Sequence, residues 1–356
     1  MKRTAEQLIR SDILEMPAYK VADASGYIKL DAMENPFRLP EALRTELGQR
    51  LSEVAVNRYP DPAGGGLKPL LAASFGIPAE AGILLGNGSD ELITLITQTL
   101  ASPGARVMAL EPSFVMYRLN ALFARVGYIG VPLAADFSLD LPATLAALET
   151  YQPAVFFLSY PNNPTGNRFA RADVEAIIEA ASGLVVVDEA YTAFADDSLM
   201  ALAGKVDNLL VLRTLSKIGL AGIRLGYAAS TPVWIDALDK VRPPYNVNVL
   251  TQETARFMLE HRAVLDSQAA TLRNERTRMA ARLAAFAGLK VWPSEANFIT
   301  VRVSDGPGLF AFLKQAGILV KSLHGMHPLL ANCLRITIGA PDENDAVLAA
   351  LTAYFD

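Results

Sequence analysis

From about residue 67 to residue 240, short apolar runs alternate with stretches whose apolar positions recur at helical spacing. The runs at 107–110, 154–158, 184–187, 209–212 and 225–229 have the length and composition of buried strands. Such alternation predicts βαβ units around a mostly parallel sheet flanked by helices. The last third reads differently: a long helix over 251–285, strands at 290–292 and 298–303, a helix over 308–316, strands at 318–321 and 333–338, and a closing helix. That order predicts a smaller α+β unit. The first thirty residues form an arm with a short helical segment at 6–14 and a brief strand at 27–30, followed by a helix over 40–54. The expected division is a large domain over 50–250 and a small one from 1–49 together with 251–356.

Composition narrows the partners. Of the 356 residues, 51% are apolar and 19% charged, enough to bury a large core; the low charge suits a surface covered by another subunit and a well-filled α/β core equally well. A net charge of −5 without any block of Lys or Arg excludes a nucleic-acid or anionic-membrane footprint, so small molecules are expected. Cys333 is the one cysteine, and His261, His324 and His327 form no ligand cluster, so neither an intramolecular disulfide nor a metal site is expected. The opening residues lead into no apolar signal segment and no run reaches membrane-spanning length, which predicts a cytoplasmic protein.

In doubly wound sheets, ligands bind beyond the carboxyl ends of the strands. After residue 158 come Ser159-Tyr160-Pro161-Asn162-Asn163-Pro164-Thr165-Gly166; after 187 come Asp188-Glu189-Ala190-Tyr191; after 212 come Thr214, Ser216 and Lys217, with Arg224 and glycines 219, 222 and 226 downstream. Gly88, Ser89 and Asp90 precede an amphipathic run, a pattern that caps a helix and also leaves N–H groups free for a phosphate. Neither a G-x-G-x-x-G nor a Walker A motif is present. A lysine amine beside Ser89, Thr214, Ser216 and Arg224, with a carboxylate and a phenol nearby, fits a cofactor carrying an aldehyde, a phosphate and a ring nitrogen. That describes pyridoxal 5′-phosphate. Lys217 is expected to bond the aldehyde, Asp188 to hold the ring nitrogen protonated, Tyr191 and Asn163 to bond the phenolic oxygen, and Phe114 to cover the ring.

Asn162-Asn163-Pro164-Thr165-Gly166, Asp188-Glu189-Ala190-Tyr191, Ser216-Lys217 with Ala221-Gly222-Ile223-Arg224-Leu225-Gly226, and a late Arg335 resemble the class II, fold-type I aminotransferases. Met33-Glu34-Asn35-Pro36, Asn57-Arg58-Tyr59-Pro60, Gly86 to Glu91, Val241-Arg242-Pro243-Pro244-Tyr245-Asn246-Val247 and Cys333 to Thr337 bring the resemblance closest to the histidinol-phosphate aminotransferases, over nearly the whole chain. The resemblance implies a homodimer with shared active sites, in which Tyr59 reaches the neighbouring subunit's cofactor phosphate. It also implies ping-pong exchange between L-histidinol phosphate and 2-oxoglutarate, with Lys217 moving a proton from the substrate α-carbon. Arg335 is expected at the substrate's anionic end, with Asn35, Tyr19 and Lys321 as further contacts. Two departures stand out: the loop from Lys217 to Arg224 is one residue shorter than in many relatives, and Lys20 stands where an arginine often follows the arm's Pro-Tyr. Competing readings are an aromatic amino-acid aminotransferase, a threonine-phosphate decarboxylase and a non-catalytic regulator of the same fold.

Overall fold

The computed structural model describes residues 2–18 and 21–356. Tyr19 and Lys20 lie outside the described residues. Among the described residues, twelve strands run in chain order: β1 (Ile28–Leu30), β2 (Gly82–Gly86), β3 (Arg106–Glu111), β4 (Gly127–Pro132), β5 (Val155–Ser159), β6 (Leu184–Asp188), β7 (Leu209–Thr214), β8 (Gly226–Ser230), β9 (Lys290–Val291), β10 (Phe298–Arg302), β11 (Ile318–Ser322) and β12 (Cys333–Thr337). A seven-stranded sheet has the order β2-β8-β7-β6-β5-β3-β4. Its β4, β3, β5, β6 and β7 pair in parallel, and β8 runs antiparallel to both its neighbours.

The apolar runs are continuous because both faces of this sheet are covered. Along β5 to β7, Phe156, Leu158, Val185, Val187, Leu209 and Val211 join one core, while Val155, Phe157, Leu184, Val186, Leu210 and Leu212 join another. Successive side chains point to opposite faces, so one run feeds both cores.

The expected strands of this region are present, displaced by a residue or two at their ends. The two edge strands carry no clear signal in the sequence. In β2 glycines stand at both ends, and β4 contains Gly127, Gly130 and Pro132. Glycine and proline weaken the strand pattern and are tolerated at edges, where part of the ladder is unpaired.

A second sheet has the order β1-β11-β12-β10-β9, with β1 parallel to β11 through Ile28↔Ile318 and Leu30↔Val320. The arm thus contributes a strand to a sheet otherwise built from the last third of the chain. The helix expected over 251–285 is two helices, Val249–Glu260 and Arg262–Leu283, broken at His261. No Gly or Pro marks that break. The helical segment of the arm is likewise two single turns, Ala5–Leu8 and Ser11–Leu14, and Arg10 between them donates to the carbonyls of Leu122 and Phe123 (both 2.9 Å).

Candidate active site

Parallel strands deliver their carboxyl ends to one rim. Ser159 and Asp188 stand opposite each other at the ends of β5 and β6, and Thr214 closes β7. One cavity at that rim is lined by Ser89, Asp90, Phe114, Ser159, Asn163, Asp188, Tyr191, Thr214, Ser216, Lys217 and Arg224, together with Met33 and Ala190. All but two of the residues expected to hold a cofactor therefore meet there. The exceptions are Gly88, which adjoins Ser89, and Tyr59.

Lys217 lies in a one-turn π-helix, Ser216–Leu220, which Gly219 distorts with φ of 130°. A Cβ at Gly219 falls 2.9 Å from Asn35 Nδ2, so only glycine fits this bend. Asn35 in turn donates to the Ile218 carbonyl (3.0 Å) and Gln268 (3.0 Å) and accepts from the Phe37 N–H (2.8 Å). It braces the lysine loop. It is not among the residues lining the cavity. The Lys217 amine donates to the Ala32 carbonyl (3.2 Å). Burial, reinforced by the positive charge of Arg335, lowers its pKa from 10.5 to about 8.

Asp188 is buried, and burial raises its pKa to about 6. Its Oδ2 accepts from the Tyr117 hydroxyl at 2.7 Å and its Oδ1 from the Ala190 N–H at 3.2 Å. Both bonds favour the charged form. Tyr117 is itself buried, stacked on Phe157 (centroids 4.8 Å) and met edge-on by Phe114 (5.7 Å). Sequence reasoning missed Tyr117. Its one signal is helical spacing: it follows Phe114 by three residues, at the start of helix Met116–Ala124.

Arg335 stands behind Asn163 and is not itself among the lining residues: Asn163 Oδ1 accepts from Arg335 Nη1 (2.6 Å), while Arg335 Nη2 donates to the Asp31 carbonyl (2.9 Å). The Arg335 guanidinium also lies over the Phe298 ring at 5.3 Å. Phe298 packs edge-on against Tyr191 (5.2 Å), whose hydroxyl meets Met33 Sδ at 3.6 Å. Burial raises the Tyr191 pKa.

The remaining wall has the form of an anion cradle. Gly88 takes φ of 86° immediately before helix Ser89–Leu100. A Cβ there meets Arg224 Nη2 at 2.8 Å, and one at Gly226 meets the Ser89 backbone nitrogen at 2.6 Å. Both positions require glycine for close approach. Thr214 Oγ1 bonds Ser216 Oγ (2.8 Å), keeping two hydroxyls together, and Arg224 faces Asp90 across 3.4 Å. Despite the shorter loop, Arg224 reaches the cavity, through a left-handed φ of 54°. A helix N-terminus, a guanidinium and paired hydroxyls suit a phosphate, and the buried amine and carboxylate suit an aldehyde and a ring nitrogen. The donor set fits pyridoxal phosphate.

Two expected residues lie elsewhere. Tyr59 is 79% exposed and stacks on Tyr245 (centroids 4.5 Å), outside its own chain's cavity. Lys321 sits directly across from Arg335 in the β11–β12 ladder, and like Arg335 it is not among the residues lining the cavity. Paired residues of an antiparallel ladder share a face, which puts its charge beside Arg335.

Residues 25–351 match the family model described as aminotransferase class I and II. The histidinol-phosphate aminotransferase of Chromobacterium violaceum is 65% identical over 100% of both chains. Histidinol-phosphate aminotransferase 2 of Cupriavidus pinatubonensis is 56% identical, over 98% of this chain and 96% of that one. Among solved structures, histidinol-phosphate aminotransferase from Sinorhizobium meliloti in complex with pyridoxal-5′-phosphate superposes with a TM-score of 0.86 at 26% identity, covering 98% of this chain and 97% of that one. With a matching fold and full-length identity of this order, the chain belongs to the class I and II aminotransferases and, within them, to the histidinol-phosphate aminotransferase family.

Proposed function

We propose that this chain transfers the amino group of L-histidinol phosphate to 2-oxoglutarate, giving imidazole-acetol phosphate and L-glutamate, as a step of histidine biosynthesis. The observation that carries the reading is a partly buried lysine amine of lowered pKa sharing one cavity with Asp188 and an anion cradle, in a chain 65% identical to a histidinol-phosphate aminotransferase. Pyridoxal phosphate, when bound, supplies an aldehyde for amines to bond and a ring that acidifies the substrate α-carbon.

The protein's residues do the rest. Lys217 would hold the cofactor's aldehyde, and its amine, when free, is the group placed to take the proton from the substrate α-carbon. A pKa of about 8 leaves a useful neutral fraction near physiological pH and a proton that is readily returned. Asp188 would keep positive charge on the ring nitrogen, and Tyr117, donating to its Oδ2, favours the ionised carboxylate and aims it. Ser89, Thr214, Ser216 and Arg224 would hold the phosphate, with Gly88 and Asp90 shaping that wall. Asn163 and Tyr191 bond the phenolic oxygen, and Phe114 covers the ring. Arg335 binds the anionic end of both substrates, since its planar fork suits phosphate and carboxylate alike.

The working form is a homodimer, supported by the exposed Tyr59–Tyr245 stack, an aromatic surface of the kind that subunits cover. Residues 50–250 act as the cofactor-binding domain, and 1–49 with 251–356 as the smaller one. Among the described residues, no helix is long and apolar enough to cross a membrane, in keeping with a cytoplasmic enzyme.

Purified protein assayed on L-histidinol phosphate, L-phenylalanine and L-threonine phosphate, with 2-oxoglutarate present or withheld, tests the reading. Amino transfer from histidinol phosphate, dependent on 2-oxoglutarate, is the expected result. Turnover of phenylalanine alone, or carbon dioxide release from threonine phosphate, overturns it.

A further inference from the structure

The segment Val241-Arg242-Pro243-Pro244-Tyr245-Asn246-Val247 takes no part in the cavity, yet its side chains end on the loop that opens the anion cradle. Tyr245 adopts a left-handed φ of 61°, uncommon for a bulky residue and kept only where surrounding structure holds it. The turn brings Asn246 back onto the end of β2. Its Nδ2 donates to the Leu85 carbonyl (3.3 Å) and to Glu91 Oε2 (2.6 Å). Glu91 Oε2 also accepts from the Asn87 N–H at 2.6 Å, and the Gly88 N–H donates back to the Gly86 carbonyl at 2.8 Å. On its other side Asn246 Oδ1 accepts from Arg242 Nη1 (2.7 Å), and Arg242 is anchored through Nε to Asp239 (2.7 Å) and through Nη2 to the Pro62 carbonyl (3.0 Å).

This chain of bonds has a geometric and an electrostatic effect on the cradle. The N–H groups of Asn87 and Gly88 are both tied, which holds the bend at Gly88 (φ 86°) that starts helix Ser89–Leu100. The first N–H groups of a helix have no intrahelical acceptor, so the way the helix starts decides which anion they can hold. Glu91 lies in the first turn of that helix, where a carboxylate and a bound phosphate compete for the same positive end. Ser89 and Asp90 line the cavity and Glu91 does not; its charge is engaged by Asn87 and Asn246 instead.

We propose, resting on the pyridoxal phosphate reading above, that Asn246 is a positioning residue for the cofactor phosphate, acting through Glu91 and itself held by Arg242. Asn246 is not among the residues lining the cavity, so it reaches the cofactor only through the loop at the phosphate end.

Apoprotein of the wild type, Asn246→Leu, Glu91→Leu and the double variant, titrated with pyridoxal phosphate and with pyridoxal and followed by the absorbance of the bound ligand, tests this. Each single variant should bind pyridoxal phosphate about tenfold more weakly, the loss expected of one hydrogen bond to a charged group, while binding pyridoxal, which carries no phosphate, as the wild type does. The double variant should bind no more weakly than the weaker single variant, because the two residues act in series. A merely structural role would weaken both ligands alike. Glu91 is only half-buried, so Glu91→Leu serves where Asn246→Leu does not fold. Unchanged affinity for pyridoxal phosphate in the single variants, an equal loss for pyridoxal, or additive losses in the double variant overturns the proposal. A wild type that takes up no pyridoxal phosphate overturns the cofactor reading itself, and the proposal with it.

Discussion

The Tyr117 hydroxyl donates to Asp188 Oδ2 at 2.7 Å inside a wholly buried aromatic stack. Burial alone pushes the Asp188 carboxyl upward, and this bond pulls it back to about 6. Replacing Tyr117 with Phe keeps the ring and removes the bond. The Asp188 pKa should then rise above 6, readable in the apoprotein by carboxyl-carbon NMR, and kcat should fall by about ten- to a hundredfold, as for a lost bond to a charged group. An unchanged titration would show that Tyr117 merely fills space.

Lys217 offers a pH test whose sign is fixed by its lowered pKa. Because the folded value is about 8 and the ordinary value 10.5, the unfolded chain binds more protons between those limits. The buried amine therefore destabilises the apoprotein fully below pH 8, and the penalty fades as pH rises toward 10.5. Lys217→Met should melt at a higher temperature than wild-type apoprotein at pH 7, with the gap narrowing by pH 10. The same variant should lack the absorbance band of the bound cofactor.

Arg335 is held by Asn163 and by the Asp31 carbonyl, an arrangement only a fork of donors can satisfy together. Arg335→Lys should raise the KM for both L-histidinol phosphate and 2-oxoglutarate by about tenfold or more while leaving cofactor absorbance intact. A KM effect on one substrate alone would contradict a shared anion site.

Gly88→Ala places a Cβ 2.8 Å from Arg224 Nη2 at a φ of 86°. Arg224 must withdraw and the backbone is strained, by about 1 kcal/mol or more. Cofactor affinity should drop, measured by equilibrium dialysis against pyridoxal phosphate, with little change in the apoprotein melt if Arg224 alone moves.

Glu189 and Arg213 form an ion pair whose side chains are 0% and 7% exposed. Glu189→Gln leaves a buried guanidinium without its counter-charge, a loss of about 3 kcal/mol that calorimetry should register as a lower Tm. Retained stability would mean that Ser198, which also bonds Arg213, suffices.

The strands beneath the rim were legible because each is a continuous apolar run covered on both faces, and the residues after each run were therefore candidates for the cavity. Asp188, Asn163, Thr214, Ser216 and Lys217 follow from that rule alone. The break at His261 was not legible, since no Gly or Pro announces it, and the edge strands β2 and β4 were hidden by the glycines and proline that edges tolerate.

What the sequence determined by itself is the sheet, its chemistry-bearing rim and the family, because local composition and motif order encode them. What only the tertiary structure decided are relationships between residues far apart in the chain: Tyr117 with Asp188, Asn35 with the Ile218 carbonyl, Asn163 with Arg335, and Asn246 with Glu91. No local pattern encodes those pairs. They arise from how separate elements pack, and hydrogen-bond geometry then selects which side chains meet.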